Sequence, residues 1–282
     1  MVATDNLREK ALRAADRLPV VGEVLQRALR IFGQRDDVSV SQLAANVEQD
    51  AVIAGTIVSI ANSALYGRYT VVASVRQAVA RIGINKTRNV LLGLSVSNSV
   101  GRLKVRSPWS LKRFNAHALA SATLSDLLVR KVSSTDPEWA FMAGLLHDIG
   151  LLVIAVGLPE QFDELHAPTT GDVGLIEREL AVLGFTHFDL GAEVVERWKC
   201  PLPVQEATKT CQLATFPLQQ PLALAAVVKS ATLIADSHGL SNFDTPKDAG
   251  VTNALLEALE IPQPTEFMQE FYSDYNEMTS PV

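Results

Sequence analysis

The sequence predicts an all-α, multi-helical fold divided into two packed lobes. Three observations predict it. Apolar residues recur at intervals of three and four over most of the chain, the spacing of one helix face. Capping residues and helix breakers punctuate the chain at helix-length intervals. Only residues 38–40 and 69–72 look strand-like, and both runs are too short to build a sheet.

In chain order, Val20, Val24, Leu25, Ala28, Leu29 and Phe32 form the first apolar stripe, which predicts an amphipathic helix ending near Gly33. Ser39 with Gln42 is a capping-box pattern opening a second helix through Leu43, Ala44 and Val47. Asp50 is placed to cap a third, which runs through Ile53, Ile57 and Ile60 to Ser63. Ser74 opens a short helix ending at Ile82 and Gly83, and Asn85 precedes a longer one with Val90, Leu91, Leu94 and Val96. Residues 101–108 are basic and helix-breaking, so they mark the boundary between a lobe of residues 1–105 and a second of residues 106–247. That second lobe predicts helices over 111–131, 137–156, 173–183, 187–199, 203–213 and 222–238. Residues 248–282 form an acidic extension with helices over 251–259 and 264–275.

With 282 residues, 48% of them hydrophobic and 20% charged, the chain can bury a substantial core and falls outside the disordered, collagenous and disulfide-scaffold classes. Two cysteines, Cys200 and Cys211, and a polar start without an apolar signal core point to a cytoplasmic location. The most apolar stretch, 150–158, is shorter than the ~20 residues of a membrane span, so no membrane segment is expected. The net charge of −6 conceals an asymmetry. Residues 51–125 carry ten basic side chains and no acid, whereas from Asp248 onward there are seven acids and no base. Such blocks either neutralise each other across the folded surface or offer a surface to an anionic partner. Aromatic content of 6% and the acidic balance argue against nucleic acid as that partner.

The residues able to carry chemistry are few. His147 and Asp148 are adjacent in Leu-Leu-His-Asp-Ile-Gly, inside the most apolar segment. Burying an imidazole beside a carboxylate there is costly unless hydrogen bonds or a metal compensate. Neighbouring helical positions point about 100° apart, so the pair meets one ion only with help from other helices. His117, set among small residues, and Asp236, late in an apolar helix, are the candidates for that help. Two imidazoles and two carboxylates suit Zn, Mn or Fe. The competing assignment for each is a hydrogen-bonded core residue.

The order His117, His147-Asp148, Asp236 resembles the H…HD…D signature of the HD metal-dependent phosphohydrolase superfamily. The runs 18–32, 41–67, 74–83, 144–150 and 187–201 resemble more narrowly the HDOD domain, the HD-related output domain of bacterial signalling proteins. Residues 62–67, Asn-Ser-Ala-Leu-Tyr-Gly, together with His-Asp-Ile-Gly at 147–150 are the most specific part, and the likeness extends over about residues 18–236. It implies that the second lobe is an HD-like helical bundle. It also implies that His117, His147, Asp148 and Asp236 hold a single divalent metal, Zn, Mn, Fe or Mg.

The chain departs from the catalytic HD-GYP type at two places. Leu151 stands where those proteins carry a lysine directly after His-Asp-Ile-Gly, and Thr210-Cys211-Gln212 stands where they carry a His-His pair. A bimetallic phosphodiesterase is therefore not expected, and Cys211 is expected to be a small buried thiol. Two function classes follow from the resemblance. One is a signal-transduction output module with signalling proteins as partners, its cluster kept as a buried polar or metal-filled network and its basic block and residues 62–67 facing the partner. The other is a mononuclear metal-dependent phosphohydrolase acting on a nucleotide or other phosphate ester, with Asp148, His187 and Lys229 as its catalytic set. His187 would hold phosphate or accept a proton, and Lys229 would clamp the phosphate; their structural alternatives are a helix-start hydrogen bond and an outward-snorkelling lysine. No receiver or kinase domain is visible, so input is expected from another chain. The aromatic stripe Phe267, Phe271, Tyr272 and Tyr275 is expected either to dock on the body or to form a homodimer contact.

Overall fold

The computed structural model describes residues 2–16, 39–49, 51–62, 71–101, 103, 105, 109–166, 174–214, 221–243 and 247–279. Among them the chain is all-α, with one isolated bridge between Ser134 and Leu222. In order the helices are α1 (Val2–Ala15), α2 (Val40–Val47), α3 (Ala51–Ala61), α4 (Val75–Ile82), α5 (Ile84–Gly101), α6 (Leu111–Leu128), α7 (Ala140–Leu146), α8 (Ile149–Gly157) and α9 (Pro159–Leu165). They continue as α10 (Leu175–Val182), α11 (His187–Arg197), α12 (Leu202–Thr210), α13 (Leu224–Ser237), α14 (Ala249–Ala258) and α15 (Pro264–Thr279). Short 3-10 turns at Pro137–Trp139 and Cys211–Leu213 extend α7 and α12. The predicted helix over 20–32, residues 63–67 and the basic side chains Arg68, Arg102, Lys104 and Arg106 lie outside the described residues.

Local chemistry sets the boundaries. At the start of α2 the Gln42 Oε1 accepts from the Ser39 amide at 2.9 Å and the Ser39 hydroxyl accepts from the Gln42 amide at 3.2 Å, the reciprocal capping box. Ser74 caps α4 through Gln77, and Gly83 closes it at φ 92°, a conformation that disfavours side chains with a Cβ. Beyond the end of α3, Asn62 grips the Val72 backbone with both ends of its amide, each bond 2.8 Å. Helices α1 and α9 were not predicted. They lie in polar stretches whose apolar residues are sparse, and α1 is held by packing on α8 and α11, including Arg8 paired with Glu193.

The main departure from expectation is the segment predicted as one helix over 137–156. It breaks into α7 and α8, with His147 and Asp148 in the intervening turn and Asp148 at φ −104°, ψ 15°. Residues Pro137–Gly157 are long and apolar enough by composition to cross a membrane, with mean hydropathy 1.9, but 89% of that window is buried inside the fold. Glycine permits the close approaches around the break. A Cβ at Gly144 would lie 2.6 Å from the Ser121 carbonyl oxygen and 2.8 Å from Ala122 Cα, so α7 touches α6 backbone to backbone. A Cβ at Gly150 would overlap the His187 carbonyl, which seats α8 on the start of α11. Helix α13 packs against both α6 and α7.

The oppositely charged blocks meet. Helix α15 crosses α5, α6 and α14 with Phe267, Phe271, Tyr275 and Met278 buried. Lys86 of the basic block, on α5, pairs with Asp274 at 2.7 Å, both side chains nearly buried, and Lys131, just outside that block, pairs with Glu270 at 3.2 Å. Of the aromatic stripe only Tyr272 stays partly exposed, and its hydroxyl lies 2.7 Å from His238 Nδ1. The stripe therefore docks on the body of its own chain.

Candidate metal centre

His117 projects from the middle of α6, where Ala118, Ala120 and Ala122 keep neighbouring helices close. Its Nδ1 lies 2.6 Å from the Leu240 carbonyl, and His147 Nδ1 lies 2.8 Å from the Gly144 carbonyl. A carbonyl only accepts, so both Nδ1 atoms carry the proton and donate it. Both Nε2 atoms then point inward, 3.2 Å from each other. Asp148 Oδ2 completes the group at 3.2 Å from His147 Nε2 and 3.5 Å from His117 Nε2.

Two imidazole lone pairs facing each other in a buried space repel unless a proton or a cation lies between them. The group also fits a metal in shape. Bonds of about 2.0–2.1 Å at tetrahedral angles place neighbouring ligand atoms roughly 3.3 Å apart, and the three edges here bracket that value. Fixing each ligand histidine through an Nδ1 bond to a backbone carbonyl is the outer-shell arrangement that metal-binding histidines use. The helix break accomplishes what a continuous helix cannot, since it turns His147 and Asp148 toward one point.

The other sequence candidates fall around this triad. Asp236 on α13 approaches His117 from the opposite side, with its Oδ1 3.5 Å from Nδ1 rather than Nε2, and it stands apart from the three converging ligand atoms. Its side chain, 31% exposed, is the most open of the cluster, and burial raises its pKa. His187, the first residue of α11 after the Thr186–Asp189 capping box, places Nε2 3.5 Å from Asp148 Oδ1. Lys229 is half-buried on α13, one helical face with Thr232 and Asp236, and its charge acts on the neighbouring Cys211. Cys211 is buried and its thiol is pushed up to about 12 by desolvation, so it is a packing residue as expected.

Three contributors escaped sequence reasoning. Glu179 of α10 is fully buried and clasps His187, its carboxylate 2.7 Å and 2.8 Å from Nδ1 and 3.0 Å from the backbone nitrogen. Thr232 lies 3.4 Å from His147 Nε2. Asn242, beyond α13, donates its amide to Asp148 Oδ2 at 2.5 Å. Glu179 sits in an ordinary amphipathic helix pattern and Asn242 in a polar turn, so neither carried a signal in the sequence.

The electrostatics are coupled. Burial favours the neutral form of Asp148, yet the imidazoles of His147, His117 and His187 that surround its carboxylate hold it well below the usual carboxylate range. Burial lowers His187, but the Asp148 and Glu179 carboxylates outweigh it and raise the imidazole to about 9, which makes it a cation at neutral pH. Against the same burial, Asp148 raises His117. The cluster thus holds its anionic centre ionised and attracts positive charge toward it.

The model of the HDOD domain family matches residues 18–212. The chain belongs to the HDOD family. A curated relative of this HDOD chain, an uncharacterized protein of Treponema pallidum (strain Nichols), is 24% identical over 204 residues, which is 69% of this chain and 38% of the relative. The match thus spans well under half of that relative's length. Among solved structures, an HDOD domain protein of unknown function from Geobacter sulfurreducens superposes with a TM-score of 0.69 at 18% identity, covering 97% of this chain and 92% of that one. A candidate phosphohydrolase from Shewanella amazonensis SB2B gives 0.70 at 21% identity over 95% and 96% of the two chains. A candidate signal transduction protein from Marinobacter aquaeolei VT8 gives 0.68 at 20% identity over 98% of this chain and 66% of that one. At such identities the likeness is one of fold. Asn242, Asp236 and Lys229 all lie beyond the HDOD match.

Proposed function

We propose that this HDOD protein is a signal-transduction output module whose HD-type site holds one divalent metal in a closed, helix-joining role. The observation that carries this reading is burial. His117, His147 and His187 are at most 4% exposed and Asp148 is 8% exposed, while their side chains tie α6, the α7–α8 turn and α11 together. His117 and His147 through Nε2 and Asp148 through Oδ2 would hold the ion, Zn, Mn, Fe or Mg, with Asp236 beside them. When bound, the ion supplies a fixed positive charge that relieves the facing lone pairs and cross-links the helices. Signalling proteins are the partners this role calls for.

A second reading, a mononuclear phosphohydrolase for a nucleotide or other phosphate ester, is favoured by one observation. The cationic His187 ring sits beside Asp148, suited to bind a phosphate oxygen and donate a proton. Lys229 would add a second positive charge there. The test is metal analysis of purified protein, with His147→Ala and Asp148→Ala as controls, followed by phosphate release from nucleotides and p-nitrophenyl phosphate. The output-module reading expects about one ion per chain, lost in both variants, and no turnover above the variants. Absence of ion after reconstitution overturns the metal site, and turnover that disappears in both variants replaces the first reading with the second.

A further inference from the structure

We propose that residues 240–242, beyond α13 and beyond the family match, form a collar that orients the metal ligands, with Asn242 the positioning residue for Asp148. The proposal rests on the metal reading above. Helix α13 ends in a Schellman turn: the Gly239 amide bonds the Asp236 carbonyl at 2.9 Å and the Leu240 amide the Ala235 carbonyl at 3.0 Å, with Gly239 at φ +77°. That turn sends the chain back over the site. Leu240 and Asn242 then each take a different site residue. The Leu240 carbonyl accepts from His117 Nδ1 and fixes its tautomer. Ser241, between Leu240 and Asn242, opposes the burial that raises the Asp236 carboxyl. Asn242 Nδ2 donates to Asp148 Oδ2, the oxygen that faces both histidine Nε2 atoms.

Core filling does not account for Asn242. It is 4% exposed, and its Oδ1 is buried without a hydrogen-bond partner among the described residues. A residue that merely filled space there would be apolar or bonded at both ends. The amide instead makes one short bond to the one carboxylate oxygen that matters, and that bond selects which Asp148 rotamer meets the imidazoles.

The test is zinc affinity by chelator competition and the visible spectrum of the Co(II)-loaded protein, in wild type and in Asn242→Leu, Asn242→Ser and Asn242→Asp, with folding checked by circular dichroism. Asn242→Leu is expected to weaken zinc binding about 10–100-fold, the usual cost of losing an outer-shell partner, and to shift the Co(II) bands. If Asn242→Leu does not fold, Asn242→Ser, too short to reach Asp148, carries the same expectation. Wild-type binding with unchanged affinity and spectrum in the variants overturns the collar alone. Tighter binding by Asn242→Asp also overturns it, because position 242 would then be a ligand. A wild type that takes up neither metal overturns both the collar and the reading beneath it.

Discussion

Removing one partner of the Lys86–Asp274 pair should destabilise the protein far more than removing both. The two groups are 2.7 Å apart with side chains 10% and 7% exposed, joining α5 to the C-terminal helix α15. At an effective dielectric of about 20 their attraction is roughly 6 kcal/mol, and desolvation costs several kcal/mol per ion, so the net contribution of the pair lies near zero. A lone partner keeps its desolvation cost and loses the attraction. Asp274→Leu or Lys86→Met should therefore cost about 3–5 kcal/mol. At about 2–4 °C per kcal/mol for a chain approaching this size, the melting temperature falls by on the order of 10 °C. Lys86→Met with Asp274→Leu, which fills the same space without charge, should stay within about 1 kcal/mol of wild type or exceed it. Urea denaturation of the four proteins gives the coupling energy directly. Single variants costing under about 1 kcal/mol, or a double variant as unstable as the two singles combined, would refute the buried pair.

Two further outcomes follow from the packing. In Gly150→Ala the new methyl meets the His187 carbonyl and comes within 3.0 Å of the Gly191 amide nitrogen, so α8 and α11 must separate. Stability should drop by about 1–3 kcal/mol or more by thermal melting, with weaker zinc binding as His187 leaves Asp148; an unchanged melting curve would rule out the close contact. His166 lies between Phe162 and Phe243, donates Nδ1–H to the Phe162 carbonyl at 2.6 Å, and keeps Nε2 buried without a partner among the described residues, so burial lowers its pKa. Below about pH 6.5 the unfolded chain takes up a proton that the folded chain resists, so the His166 contribution is complete above that pH and is lost as pH falls. The stability difference between wild type and His166→Phe should therefore grow from pH 5.5 to pH 7.5. A pH-independent difference would show the ring to be freely solvated.

The amino-acid sequence alone determined the helical class and most helix limits. These depend on interactions within a turn or two, such as Ser39 with Gln42, Ser74 with Gln77 and the apolar stripe of α15, and they can be seen in neighbouring letters. The resemblance located His117, His147 and Asp148, which do converge. Tertiary structure decided what composition could not. It broke the apolar run at His147, because packing α7 on α6 through Gly144 and α8 on α11 through Gly150 satisfies two directions that one straight helix cannot. It also set Asp236 behind His117, and brought Glu179 to His187 and Asn242 to Asp148. The Asn242–Asp148 bond spans 94 positions and the His117–Leu240 bond 123. Contacts across such distances leave no periodic trace, since their partners are chosen by where whole helices come to rest.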